Sequence, residues 1–180
     1  MEYSIREVAK IIGSKSNLLR EDTITMLLTD SRTVSFPEQS LFFALRTKTN
    51  DGHKYIPELY KLRVRNFVVS EMPPSTDMYA DANFLLVKDP LRALQQLAAH
   101  HRKKFDIPVI GITGSNGKTI VKEFLYQLLH TEFNIVRSPR SFNSQLGVPL
   151  SVWQINPKHT LGIFEAGISQ PDEMERLQPI

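Results

Sequence analysis

Phosphate-binding chemistry is indicated by a glycine-rich stretch, Gly111–Thr119, which reads GITGSNGKT. Glycines let the backbone turn tightly, so several N–H groups can point at one anion, and the start of a following helix adds the positive end of its dipole. Lys118 would reach the terminal phosphates of a nucleotide, and the Thr119 hydroxyl would bind Mg²⁺. The residues predicted to bind the nucleotide are Gly114, Ser115, Asn116, Gly117, Lys118 and Thr119.

The spacing of these glycines departs from the commonest phosphate loop. That pattern has a glycine five places before the glycine of the Gly-Lys pair, and here Ile112 stands at that place. The context is nevertheless the required one, because an apolar strand (Ile107–Ile110) precedes the loop and a helical pattern (Lys118–His130) follows it. Strand, turn and helix together favour phosphate binding over a purely structural turn.

A carboxylate is expected on the same edge of the sheet as this loop. Glu165 directly follows the apolar run Leu161–Phe164 and precedes Gly167. In open parallel sheets, ligands lie beyond the carboxyl ends of the strands, which places Glu165 beside the loop. An oxygen ligand there would complete a Mg²⁺ shell. We therefore predict that Thr119 and Glu165 are the metal ligands.

The elements that must position these residues alternate between strands and helices, which predicts an α/β fold. A small amino-terminal α/β domain, residues 1–105, precedes the first part of a parallel-sheet phosphate-loop domain, residues 106–180. The second unit stops soon after its third strand, so we expect it to be incomplete. Besides those above, the predicted elements are a capped helix after Ser4, strands at Ile24–Leu28, Ser40–Leu45, Phe67–Val69, Phe84–Val87 and Asn134–Val136, and helices at Gly52–Leu62, from Pro90 to about Asp106, and at Val148–Gln154.

The composition favours a globular protein of the cytoplasm. Hydrophobic residues make up 41% and charged residues 23%, there is no cysteine, and neither a signal peptide nor a membrane span is evident. The net charge is +3, and the basic run His100–Lys104 is more typical of a solvated helix end than of a nucleic-acid patch. We therefore expect neither a nucleic-acid nor a membrane partner, and the oligomeric state stays open.

The motifs resemble those of the Mur ligases of bacterial peptidoglycan synthesis over nearly the whole chain. The amino-terminal segments Thr29–Val34, Ser40–Leu45 and Asp51-Gly52-His53 are similar to the domain that holds the UDP part of the substrate. Gly111–Thr119 has the glycine spacing of this family's own ATP loop. The later motifs that resemble the family's central domain are Asn143, Gly147-Val148-Pro149 and Glu165-Ala166-Gly167, whereas Ser169-Gln170 stand where many relatives have Asn-His.

The resemblance implies an ATP- and Mg²⁺-dependent ligase that activates a carboxylate as an acyl phosphate and joins it to an amine. It places Lys118, Glu165 and Asn143 at the catalytic site, and Ser31, Arg32 and, less strongly, Lys48 at the UDP-substrate site. The loop and the following Val121-Lys122-Glu123 are most similar to the members that add D-alanyl-D-alanine to UDP-N-acetylmuramoyl-tripeptide. Such a ligase needs a third domain, so we expect the 180 residues to be inactive alone.

Two other functions stay open at this point. A member of the same family that adds a diamino acid to UDP-N-acetylmuramoyl-dipeptide would differ only in the amine that it accepts. A nucleotide-binding switch that ligates nothing would bind nucleotide without binding a UDP-muramoyl peptide, although such a module has no need for the amino-terminal motifs. A folylpolyglutamate-type ligase shares the ATP loop but would not begin with this amino-terminal domain.

Overall fold

The computed structural model describes residues 1–16, 18–168 and 172–180. The chain forms two compact units, Met1–Leu94 and Gln95–Ile180, so the division falls inside a helix. Both units combine parallel sheets with helices, which confirms the predicted α/β class. The domain boundary predicted at residue 105 stays a prediction. Among the described residues, no helix is both long and apolar enough to cross a bilayer.

The amino-terminal unit is built on a four-stranded parallel sheet. Its strand order is β3-β4-β5-β6, and a separate antiparallel pair joins β1 to β2. Aromatic rings from adjacent strands fill its core, with Phe67 stacked on Phe84 at 5.3 Å between centroids and Phe42 edge-on at 6.4 Å. The elements are β1 Tyr3–Ser4, α1 Ile5–Ile11, β2 Thr23–Ile24, β3 Met26–Leu28, β4 Ser40–Phe43, α2 Ile56–Lys61, β5 Asn66–Val69 and β6 Asn83–Leu86.

The second unit is a three-stranded parallel sheet in the order β7-β9-β8, so the last strand in sequence lies in the middle. Buried apolar side chains pack against it in two clusters, one around Phe164 and one around Ile163. The chain reaches it through α3 Pro90–Arg102, and the other elements are β7 Val109–Ile112, α4 Lys118–Leu129, β8 Ile135–Arg137, α5 Gly147–Val152, β9 Leu161–Glu165 and α6 Glu173–Leu177.

Helix ends follow the capping signals in the sequence. Ser4 accepts a hydrogen bond from the Glu7 backbone N–H (3.1 Å), and the Glu7 carboxylate accepts one from the Ser4 N–H (3.0 Å), which confirms the predicted capping box. At α3 the Asp89 carboxylate accepts hydrogen bonds from the backbone of Leu91 and Arg92 (2.9 and 3.2 Å). These local bonds satisfy N–H groups that have no partner within the first helical turn.

Two of the sequence predictions are wrong in detail. Ile24–Leu28 is not one strand, because Thr25 bonds to Gln39 and separates β2 from β3, which belong to different sheets. The basic run that ends α3 is not fully solvated either. His101 is 1% exposed, and its Nε2 lies 2.9 Å from the Ile155 carbonyl oxygen. The end of this helix is therefore partly core, although its sequence looks basic and exposed.

Candidate functional site

The glycine-rich loop follows β7 and leads into α4. Gly114 and Gly117 have positive φ angles of 133° and 80°, which side chains other than glycine rarely adopt, and Gly117 caps the helix. The loop is exposed, so its backbone N–H groups can meet a ligand. The Lys118 ammonium group donates hydrogen bonds to the carbonyls of Gly114 (2.7 Å) and Ser115 (3.5 Å), and it thus lies over the loop that a phosphate would enter. This arrangement can bind a polyphosphate.

Glu165 ends the central strand beside this loop. In the parallel register, Ile112 of β7 lies opposite Glu165 of β9, so both carboxyl ends open at one place. The Glu165 side chain is fully buried, and its Oε2 atom accepts a hydrogen bond from the Thr119 hydroxyl at 3.1 Å. The structure therefore brings together two residues that are 46 positions apart and that the sequence predicts as metal ligands.

Asn143 lies against the same carboxylate oxygen. Its side-chain amide is 3.5 Å from Glu165 Oε2, and its own carbonyl accepts a hydrogen bond from the Gly167 N–H at 2.6 Å. In the loop that holds Asn143, Gly147 packs tightly against the Phe142 backbone. A Cβ atom on Gly147 would lie 2.7 Å from the Phe142 carbonyl carbon. The absence of a side chain at Gly147 is therefore what lets the loop bring Asn143 to this position.

The oxygen atoms of this cluster suit Mg²⁺. Hydroxyl and carboxylate oxygens are hard ligands, and octahedral coordination at about 2.0–2.1 Å separates neighbouring ligands by about 3 Å. The 3.1 Å between the Thr119 hydroxyl and Glu165 Oε2 is compatible with two adjacent ligands. The other oxygen, Oε1, is buried against the Lys122 ammonium group at 2.9 Å, which leaves Oε2 as the oxygen that a cation would meet. The donor set thus fits a divalent cation that binds together with phosphate.

A buried lysine, to which the sequence motifs assign no role, lies behind Glu165. Lys122 is 0% exposed, and its ammonium nitrogen lies 2.9 Å from Glu165 Oε1. A sequence signal for it exists. Positions three and four residues apart share one face of a helix, so Lys122 had to lie on the same side of α4 as Lys118 and Thr119. The helical spacing therefore hinted that Lys122 faces the site.

The predicted substrate residues lie in the amino-terminal unit, beyond the carboxyl ends of two adjacent strands. Ser31 and Arg32 follow β3 in a short 3₁₀ turn, and Lys48 is exposed in the loop after β4. Hydrogen bonds from Arg32 lower the pKa of the Asp30 carboxyl to about 2. The Arg32 side chain remains 86% exposed, so its guanidinium group is accessible to an anion.

A polar cluster at the same edge of this sheet is fixed by its own hydrogen bonds. His53 Nδ1 lies 2.6 Å from Asp51, and its Nε2 accepts a hydrogen bond from the Ser70 N–H at 3.1 Å. Arg46 forms ion pairs with both Asp51 and Glu71 (2.8 and 2.6 Å). These contacts engage Asp51, His53 and Glu71, whose ligand atoms lie close enough together to hold a metal ion. The cluster therefore fixes the loop after β4. The Ser169-Gln170 pair lies outside the described residues.

Comparison with known proteins gives the same family twice. Residues 112–180 match the Mur ligase middle domain, and residues 23–102 match the Mur ligase family, catalytic domain. The chain is 37% identical over 158 residues to the UDP-N-acetylmuramoyl-tripeptide–D-alanyl-D-alanine ligase of Treponema pallidum. The matched segment covers 84% of this chain and 34% of that protein. The chain thus spans about a third of the length of this curated relative.

The solved structures that are similar to this chain include two ligases. A MurF ligase from Thermotoga maritima, in complex with ADP, aligns with a TM-score of 0.73 at 27% identity and covers 84% of this chain and 34% of its own. The UDP-N-acetylmuramoylalanyl-D-glutamyl-2,6-diaminopimelate–D-alanyl-D-alanyl ligase of Acinetobacter baumannii aligns with a TM-score of 0.85 at 24% identity, over 98% of this chain and 39% of that one. The second likeness concerns the fold alone.

Proposed function

This chain belongs to the Mur ligase family, and we propose that it carries the UDP-substrate domain and the first part of the ATP-binding domain of a cytoplasmic ligase. The complete protein would join D-alanyl-D-alanine to UDP-N-acetylmuramoyl-tripeptide, as the name of the Treponema pallidum relative describes. The observation that carries the proposal is the meeting of the phosphate loop with Glu165 through the Thr119 hydroxyl at 3.1 Å. It joins a nucleotide-binding loop to an oxygen-rich cation site.

Amide formation in water needs an activated carboxylate. The γ-phosphoryl group of ATP would pass to the carboxylate with release of ADP, and the amine would then displace phosphate from the acyl phosphate. The first step brings two anions together, so neutralising their charge is the main task of the site. The loop N–H groups would hold the phosphates, and the Lys118 ammonium group would leave the Gly114 and Ser115 carbonyls to meet the terminal phosphate. Bound Mg²⁺ would add positive charge at the same phosphates, held by Thr119 and Glu165.

The remaining roles concern orientation. Asn143 would hold the metal-facing oxygen of Glu165 through its side-chain amide. In the amino-terminal unit, Ser31 and Arg32 would bind the diphosphate or uridine of the UDP-muramoyl peptide, and Lys48 would add a further cation. Holding the peptide carboxylate near the γ-phosphate then replaces a random encounter of two anions by a positioned one.

Calorimetric titrations of the complete protein test this proposal. We expect saturable binding of UDP-N-acetylmuramoyl-tripeptide and, separately, of Mg-ATP. Arg32→Ala should weaken only the first and Lys118→Ala only the second, so each variant is the control for the other. Nucleotide binding without any binding of the muramoyl peptide would refute the ligase and favour a switch. Amide formation with a diamino acid, but not with D-alanyl-D-alanine, would instead reassign the amine.

A further inference from the structure

Lys122 is a charged side chain that the proposed reaction does not use. It lies on α4, one helical turn after Lys118, and is completely buried. Burying an ammonium group is costly unless charged and polar partners replace its water. The contacts of the Lys122 ammonium group must therefore compensate for the free-energy cost of burying it.

The ammonium group of Lys122 connects three chain segments. It donates hydrogen bonds to the carbonyls of Ser138 (2.8 Å) and Arg140 (2.5 Å), in the loop after β8 that leads to Asn143. It also lies 2.9 Å from Glu165 Oε1, at the end of β9, and 3.3 Å from a carboxylate oxygen of Glu123. The segments that carry Thr119, Asn143 and Glu165 are therefore joined at one buried nitrogen.

The two oxygens of Glu165 have different partners. Oε1 lies 2.9 Å from the Lys122 ammonium nitrogen and forms an ion pair with it. Oε2 is left for the Thr119 hydroxyl and the Asn143 amide. The Glu165 backbone N–H is fixed as well, because it donates to the buried Ser138 hydroxyl at 3.0 Å. The carboxylate is thus oriented before any cation arrives.

We propose that Lys122 is a positioning residue for the cation site. Its ammonium group holds Oε1 of Glu165, so that Oε2 faces Thr119 and the metal. This inference rests on the proposed function, because it assumes that Mg²⁺ binds with nucleotide at Glu165. The competing explanation is an ordinary buried ion pair that stabilises the fold and could be replaced without consequence for the metal. The two explanations differ in how Mg²⁺ strengthens nucleotide binding.

The test measures the affinity of the complete protein for a non-hydrolysable ATP analogue, in Mg²⁺ and in EDTA, by calorimetry. The ratio of the two affinities is the Mg²⁺ effect. In Lys122→Met we expect this effect to fall about 10–100-fold, the usual loss when a residue behind a metal ligand is changed. The affinity in EDTA should stay within about twofold, because the loop and Lys118 are intact. Lys103→Met, which removes the same charge from an exposed position, is the matched control.

A second set of variants shows whether Lys122 acts through Glu165. Glu165→Gln should reduce the Mg²⁺ effect by itself at least as much as Lys122→Met does, and adding Lys122→Met to it should change nothing further. If Lys122→Met does not fold, Lys122→Gln, whose amide is too short to reach Oε1, carries the same comparison. An unchanged or larger Mg²⁺ effect in a folded Lys122 variant would overturn the inference. Absence of analogue binding by the unaltered protein would instead overturn the proposed function.

Discussion

Acid should destabilise the second unit in part through one buried histidine, His101. Its ring is buried between Phe105 and Trp153, with centroids 5.0 and 4.6 Å away. Burial lowers the pKa of His101 from 6.5 to about 4, even though the hydrogen bond to the Ile155 carbonyl opposes that change. The folded unit therefore keeps His101 neutral at a pH where the unfolded chain is protonated.

The sign and size of the effect follow from these two pKa values. Above pH 6.5 both states are neutral at His101, so stability is unaffected. Between pH 6.5 and about 4 only the unfolded state binds the proton, so the free energy of unfolding falls as the pH falls. Below about pH 4 both states are protonated and the loss is constant. The interval corresponds to about 3 kcal/mol.

Urea unfolding followed by the fluorescence of Trp153, the chain's one tryptophan, measures this loss in the second unit. The comparison is with His101→Gln, which keeps an N–H donor for the Ile155 carbonyl but cannot be protonated. Between pH 7 and pH 4 the unaltered chain should lose about 3 kcal/mol more than this variant. His100→Gln, at an exposed neighbouring position, should behave like the unaltered chain. Parallel pH profiles of the unaltered chain and His101→Gln would refute the reasoning.

Three further changes test individual contacts described above. Lys122→Met should lower the free energy of unfolding by about 3–5 kcal/mol, because it leaves Glu165 buried without its cation, and the double variant with Glu165→Gln should recover most of this in the same urea titration. Gly147→Ala should cost about 1–3 kcal/mol, because the new Cβ atom meets the Phe142 backbone at 2.7 Å; an unchanged urea midpoint would contradict that contact. Ser4→Ala should lower the stability of α1 by about 1 kcal/mol, seen as faster amide hydrogen exchange there, and unchanged exchange would show that the cap contributes nothing.

The sequence predicted well those structural features that depend on residues close together in the chain. The glycines of the loop, the Ser4 cap and the start of α3 are local features, and the structure has each of them where it was expected. Glu165 was also predicted beside Thr119, because parallel strands bring their carboxyl ends to one edge.

What the sequence did not reveal depends on contacts between distant residues. Thr25 interrupts a strand-like run and forms hydrogen bonds with Gln39. The residues next to Thr25 in the sequence do not indicate that partner. His101 is buried by residues some fifty positions further along the chain, such as Ile155. Lysine is a common residue on exposed helix surfaces, so the residue type of Lys122 did not indicate burial. Only its position relative to Thr119 hinted at the buried charge.

The order of the strands in the second sheet has a consequence for synthesis on the ribosome. β7 and β8 do not pair with each other, because β9 lies between them and pairs with both. The phosphate loop therefore leaves the ribosome before the strand that pairs with β7. At about 5–20 residues per second, the interval from Ile112 to Glu165 lasts on the order of 3–10 s. During that time β7 and β8 each have an unpaired edge, which β9 covers when it emerges and brings Glu165 beside the loop.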